Sequence, residues 1–258
     1  LLEAIDEALE VARATGVRLQ VSHLKTAGRA NWHKVEAALE KINTARAAGV
    51  EVASDLYPYT ASCTDLDIIL PTWAAQDGRV AILGRLRDSA TRAKIRADIA
   101  AERDEAYWEA VWVGSTRHPD NAPFAGQPLT VAAAAWNIHP LDAALRLMDS
   151  DELFTGGIFF GMCEENLWRI LAEPWVMLGS DASLRAPTGP LSQDHPHPRA
   201  YGTFAKFMRA ALDGKTVPVG EAVRKMTSLP ARWFRLSDRG EVRPGAYADL
   251  VALAPATF

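Results

Sequence analysis

Two short β-branched runs, residues 17–21 and 50–56, are separated by one amphipathic stretch, and each ends in polar residues able to do chemistry. Strand, helix and strand joined by short connections require a parallel sheet, because parallel neighbours need a crossover and a helix is the usual one. The helices are read from spacing. Leu2, Ile5, Ala8, Leu9 and Val11 recur at helical intervals as far as Thr15, and Gly16 is the expected C-cap. Asn31 is the expected cap of a second helix carrying Val35, Ala38, Leu39 and Ile42. After a stretch with a different pattern, residues 158–162, a helix over 164–171 and residues 175–178 resume the strand, helix, strand rhythm. That different stretch, residues 72–152, is rich in charged helical sequence, notably 85–103, with a Gly/Pro/Asn-rich loop at 118–127. It is expected to be a helical insertion. Two further helices are expected at about 203–212 and 219–225, then a turn at 241–245 and a strand at 248–253. The division is therefore residues 1–235 as an α/β body and 236–258 as the start of a small β-structure. Leu1 leads straight into a helix and Phe258 follows closely on an apolar strand, so both termini are expected to be cut ends of a longer chain.

With 48% hydrophobic residues, the 258-residue chain can bury a sizeable core. Lys and Arg total 28 against 32 Asp and Glu, a net charge of −4, and no run of like charge is long enough to grip phosphates, so no nucleic-acid partner is expected. No apolar stretch approaches the roughly 20 residues of a membrane span, which excludes a membrane partner of that kind. Cys63 and Cys163, the two cysteines, make neither a metal knuckle nor a disulfide framework and fit a reducing, cytoplasmic setting.

Polar residues gather where the strands end: His23 and Lys25, then Asp55, Tyr57 and Tyr59, then Ser180 and Asp181. In a parallel α/β barrel those ends open on one face, where loops carry sites on rigid bases. His23 suits metal binding through one imidazole nitrogen, or a structural hydrogen bond. Asp181 suits metal binding, proton transfer, or the N-cap of a following helix. Lys25 lies two residues beyond His23, on the same side of an extended chain. Tyr57 offers a hydroxyl to an anion, or simple packing. Arg199 has the planar fork that recognises a carboxylate, or makes a surface ion pair. His195 and His197, on a proline-rich loop, are either metal ligands or solvent-facing residues. No Gly-x-Ser-x-Gly elbow, phosphate loop or dinucleotide fingerprint occurs, so metal-assisted hydrolysis of a small-molecule substrate is the chemistry left.

At these residues the chain resembles the N-acyl-D-amino-acid deacylases (D-aminoacylases) of the metal-dependent amidohydrolase superfamily. The resemblance rests on Val21-Ser-His-Leu-Lys-Thr-Ala-Gly28, Asp55-Leu-Tyr-Pro-Tyr-Thr-Ala61, Leu70-Pro-Thr-Trp73, Glu164-Glu-Asn, Pro174-Trp-Val-Met-Leu-Gly-Ser-Asp181, His197-Pro-Arg-Ala-Tyr-Gly-Thr-Phe204, Met226-Thr-Ser-Leu-Pro-Ala-Arg232, and Asp238-Arg-Gly240 through Pro244-Gly245 to Ala248-Asp-Leu250. It implies an incomplete TIM-like (β/α)8 barrel of the amidohydrolase type, ending in the first strand of a small β-sandwich. It also implies one or two zinc ions and hydrolysis of the amide of an N-acyl-D-amino acid to a D-amino acid and a carboxylate. His23 matches a metal ligand. Asp181 matches the catalytic aspartate, itself a metal ligand. Lys25, Tyr57 and Arg199 match residues that hold the substrate carboxylate. Cys63 stands where the family commonly has a serine in the same pocket. The remaining metal ligands are expected upstream of Leu1. No arginine lies between Cys63 and Arg79, so an apolar D side chain is expected rather than an acidic one. The alternatives are an amidohydrolase acting on cyclic amides or other non-peptide C–N bonds, and an inactive truncated homologue.

Overall fold

The computed structural model describes residues 1–192, 196–256 and 258. In chain order its elements are α1 (Leu2–Thr15), β1 (Leu19–Val21), α2 (Val35–Ala47), β2 (Val52–Leu56), β3 (Ser62–Asp65), α3 (Arg79–Arg87), α4 (Ser89–Glu102), α5 (Glu105–Glu109), β4 (Val111–Val113), α6 (Leu129–Trp136), α7 (Pro140–Ser150), β5 (Gly156–Phe159), α8 (Glu164–Ala172), β6 (Val176–Leu178), α9 (Arg199–Leu212), α10 (Val219–Met226) and α11 (Ser228–Trp233). They fall into two units: Leu1–Thr60, Met162–Ser183 and Pro198–Phe258 form the first, Ala61–Gly161 and Leu184–His197 the second.

The first unit is built on a parallel sheet of order β1-β2-β6. Its register pairs Gln20 with Ala53 and Asp55 with Met177. Side chains alternate along a strand, so Gln20, Ala53, Asp55 and Met177 share one face while Val52, Leu56, Val176 and Leu178 share the other. The second face is the apolar one. It packs with Ile5 and Leu9 of α1, Leu39 and Ile42 of α2, Leu167, Ile170 and Leu171 of α8, Phe207 of α9 and Ala222 of α10. The helices therefore lie against a single side, and the opposite side holds the polar pair Gln20 and Asp55. Gly16 ends α1 in the left-handed conformation, φ 71°, as its sequence predicts.

The second unit has its own core around Leu66, Ile95, Trp108, Leu141 and Met148. It carries an antiparallel sheet of order β3-β5-β4, in which Cys63 faces Ile158. Residues 158–162, expected to continue the parallel rhythm, instead begin inside this antiparallel sheet. The unit also reaches beyond the helical insertion expected at 72–152. Residues 85–103 span the end of α3 and the whole of α4, which separate at Asp88: it is extended, with ψ 120°, and its side chain caps α4 by accepting from the Thr91 N–H. Asn31 does not cap α2 either. It lies within a 3-10 turn, Arg29–Lys34, and donates to the Ala27 carbonyl.

After α11, residues 236–256 and 258 contain no helix or strand, although Leu250 and Val251 are exposed and apolar. The strand expected at 248–253 has no partner strand among the described residues, and a strand exists only through its ladder. No helix among the described residues is long and apolar enough to cross a membrane.

Candidate active site

Parallel strands deliver their C-terminal ends to one edge. His23 follows β1, Asp55 lies near the end of β2 on its polar face with Tyr57 just beyond the strand, and Asp181 follows β6. β2 is central, so the strands that lead to His23 and Asp181, β1 and β6, lie two strand spacings, about 10 Å, apart within the sheet. Both residues have positive φ, 43° at His23 and 49° at Asp181, and His23 lies in a turn directly after β1. No helix follows Asp181 before the 3-10 turn Pro190–Ser192, which removes the helix-cap reading of this aspartate.

The two cations and the phenol come together. Tyr57 is fully buried. The Lys25 Nζ donates to its hydroxyl at 3.4 Å and lies 5.4 Å from the ring centroid. The Arg199 guanidinium, at the first turn of α9, sits 4.7 Å from the same centroid. Arg199 also pairs with the Asp181 carboxylate, Nη1 to Oδ2 at 2.7 Å, with the arginine largely buried and the aspartate much more open. Burial pushes the Lys25 pKa below its ordinary value; Asp181 and Asp55 oppose that drop and Arg199 adds to it. The Asp181 carboxylate is paired with Arg199 and, together with Asp55, lies within electrostatic reach of Lys25.

Tyr59 and Gly202 meet on the same side of this unit. A Cβ at Gly202 would overlap the Tyr59 hydroxyl, and the Lys206 Nζ lies 4.3 Å from the Tyr59 ring centroid. Burial raises the Tyr59 pKa. Cys63 belongs to the second unit, on β3, and His197 is buried in that unit. His195 lies outside the described residues.

Zinc takes four donors from Cys, His and carboxylate side chains in structural sites, and three plus water in catalytic ones. Among the described residues no group of three or more His, Cys, Asp or Glu side chains is placed to hold an ion. His23 and Asp181 have the right donor chemistry and emerge at the same end of the sheet, so this chain fits two positions of such a set rather than a whole one. A cavity of about 460 Å³ lined by Arg46, Trp175, Glu221, Arg224 and Trp233 sits beside the opposite ends of β2 and β6 and is separate from this cluster.

Sequence reading missed three residues that shape the site. Gln20 and Ser54 hydrogen-bond around the end of β1, and Gly202 admits Tyr59. A polar residue within an otherwise apolar strand segment was the available signal for the first two.

The chain is 36% identical over 249 residues to an N-acyl-D-glutamate deacylase of Alcaligenes xylosoxydans xylosoxydans, covering 96% of this chain and 41% of that protein. It is 28% identical over 264 residues to a D-aminoacylase of the same organism, covering 100% of this chain and 43% of that one. The crystal structure of N-acyl-D-glutamate deacylase from Bordetella bronchiseptica, complexed with zinc and a phosphonate inhibitor that mimics the tetrahedral intermediate, superposes with a TM-score of 0.71 at 31% identity, over 96% of this chain and 42% of that chain. The chain spans about two fifths of the length of these relatives. The profile of the amidohydrolase family matches residues 2–258, and the chain belongs to that family.

Proposed function

We propose that the protein containing this chain hydrolyses the amide bond of N-acyl-D-amino acids, releasing a D-amino acid and a carboxylate. The observation that carries this reading is the grouping of Lys25 and Arg199 about Tyr57, with Arg199 paired to the Asp181 carboxylate. In this proposal β1, β2 and β6 are three strands of a (β/α)8 barrel, and residues 236–258 belong to a small β-sandwich domain. Neither Cys63 nor Cys163 is in a disulfide, which agrees with a cytoplasmic setting.

His23 and Asp181 would hold zinc, with the remaining donors from parts of the family chain outside residues 1–258. Bound zinc supplies a water of lowered pKa and polarises the scissile carbonyl. Asp181 accepts the proton of the attacking water and returns it to the leaving amine. Lys25 and Tyr57 bind the substrate α-carboxylate, and Arg199 joins them bidentately. Before substrate arrives, Arg199 is paired with Asp181. Transfer of that guanidinium to the substrate carboxylate releases the Asp181 oxygen that must take the proton, so substrate binding prepares the base.

The test is hydrolysis by the full-length protein of matched N-acetyl-D- and N-acetyl-L-amino acids. Cleavage of the D series, lost in Asp181→Asn while zinc content is retained, is the expected result; full activity in Asp181→Asn removes the aspartate from its role. N-acetyl-D-leucine beside N-acetyl-D-glutamate settles the side chain. The missing arginine after Cys63 favours the first substrate, and the relative named for glutamate favours the second.

A further inference from the structure

The turn that presents His23 is held almost entirely from β2. The Asp55 Oδ1 accepts the His23 N–H at 2.8 Å, and the Asp55 backbone carbonyl accepts the next N–H, that of Leu24, at 3.0 Å. The hydroxyl of Ser54, fully buried, donates to the Val21 carbonyl at 2.7 Å. The second carboxylate oxygen of Asp55 accepts from Gln20 Nε2 at 2.7 Å. On its other side Asp55 is confined by Gly179, where a Cβ would lie 3.3 Å from the Asp55 Cβ and 3.4 Å from Oδ1. The carboxylate is thus fixed by an amide on β1 and by the close passage of the backbone after β6.

These bonds act where the backbone needs support. His23 has φ 43°, a conformation that costs a non-glycine residue free energy and persists only when its surroundings over-determine it. Extended geometry at residue 23 would continue β1 and carry the imidazole away from the strand end.

We propose that Asp55 is the positioning residue of the site: its carboxylate fixes the left-handed turn at His23, and through that turn the imidazole. Gln20 holds the carboxylate, and the glycine at 179 leaves it room. The part of this inference that concerns zinc rests on the proposed function; the part that concerns the turn does not.

The test compares Asp55→Ala and Asp55→Asn in the full-length protein, by crystal structure and by zinc affinity measured in competition with a chelator. Asparagine keeps an oxygen for the His23 N–H and can offer its amide to a flipped Gln20. The expected result is a His23 φ that stays positive in D55N and becomes negative in D55A, with zinc binding weakened 10- to 100-fold in D55A and nearly unchanged in D55N. A His23 turn unaltered in D55A, or D55N as impaired as D55A, overturns the proposal. Should D55A not fold, Gln20→Met carries the test: freeing one carboxylate oxygen weakens zinc severalfold, and unchanged affinity overturns the proposal. If the wild-type protein binds no zinc, the functional reading fails, and the φ comparison still decides the role of Asp55.

Discussion

Replacing Lys225 by methionine tests the energetics at the opposite end of β6. The side chain is fully buried on α10. Its ammonium donates to the Glu173 carbonyl and, at 2.9 Å, to the Val176 carbonyl, and it lies 3.7 Å from the Glu221 carboxylate. Burial pulls its pKa from 10.5 to about 8, with Arg224 adding to the drop, while Glu221 and Glu173 resist it. The sign of the effect follows. Between those two values the unfolded chain binds a proton that the folded chain does not, so stability rises with pH across that window. A pKa of about 8 against 10.5 corresponds, at 1.36 kcal/mol per pH unit, to about 3 kcal/mol. Unfolding by urea at pH 7.5, 8.5, 9.5 and 10.5 measures this in wild type and Lys225→Met. Every other titrating group is common to both proteins, so the stability difference, wild type minus variant, isolates the lysine. It should climb by about 3 kcal/mol from pH 8 to 10.5. A difference that stays flat, or falls, refutes the picture of a charged amine confined among carbonyls.

Gly202→Ala places a methyl on the Tyr59 hydroxyl and should cost about 1–3 kcal/mol of stability, seen as a lower Tm. Tyr59→Phe in the same background should restore most of it, and failure of that rescue separates the two residues. Arg199→Met should raise KM for N-acyl-D-amino acids about 10- to 100-fold, the loss of one charged hydrogen-bond partner of about 1.5–3 kcal/mol. An unchanged KM points instead to a cyclic amide that carries no carboxylate.

Much of the first unit is legible from spacing, because its helices are amphipathic and its core lies on one side of one sheet. The periods in residues 2–11 and 219–225 become α1 and α10, and residues 164–171 become α8 with one residue added. The antiparallel sheet is not legible in this way. β3, Ser62–Asp65, is polar along its length, and its strand character comes from pairing with β5 nearly a hundred residues later. An apolar run such as residues 158–162 announces burial without announcing the direction of its partner. The break at Asp88 was readable, since aspartate before serine and threonine is a capping signal, but the surrounding charged helix pattern ran across it. At the site, Lys25, Tyr57, Arg199 and Asp181 announce themselves by residue type at strand and helix ends. Their supports do not. Gln20 matters because register sets it beside Asp55, and Gly202 matters because Tyr59 arrives there from another element. Such roles depend on three-dimensional approach, which no local pattern encodes. The Arg199–Asp181 pair is the same kind of fact, joining two residues each read separately as functional.

Anomalous diffraction at the zinc absorption edge, on crystals of the full-length protein, addresses the central assignment most directly. The expected result is a peak about 2.0–2.2 Å from a His23 ring nitrogen and from an Asp181 carboxylate oxygen. A zinc peak bound elsewhere, with the His23 imidazole turned to solvent, contradicts it.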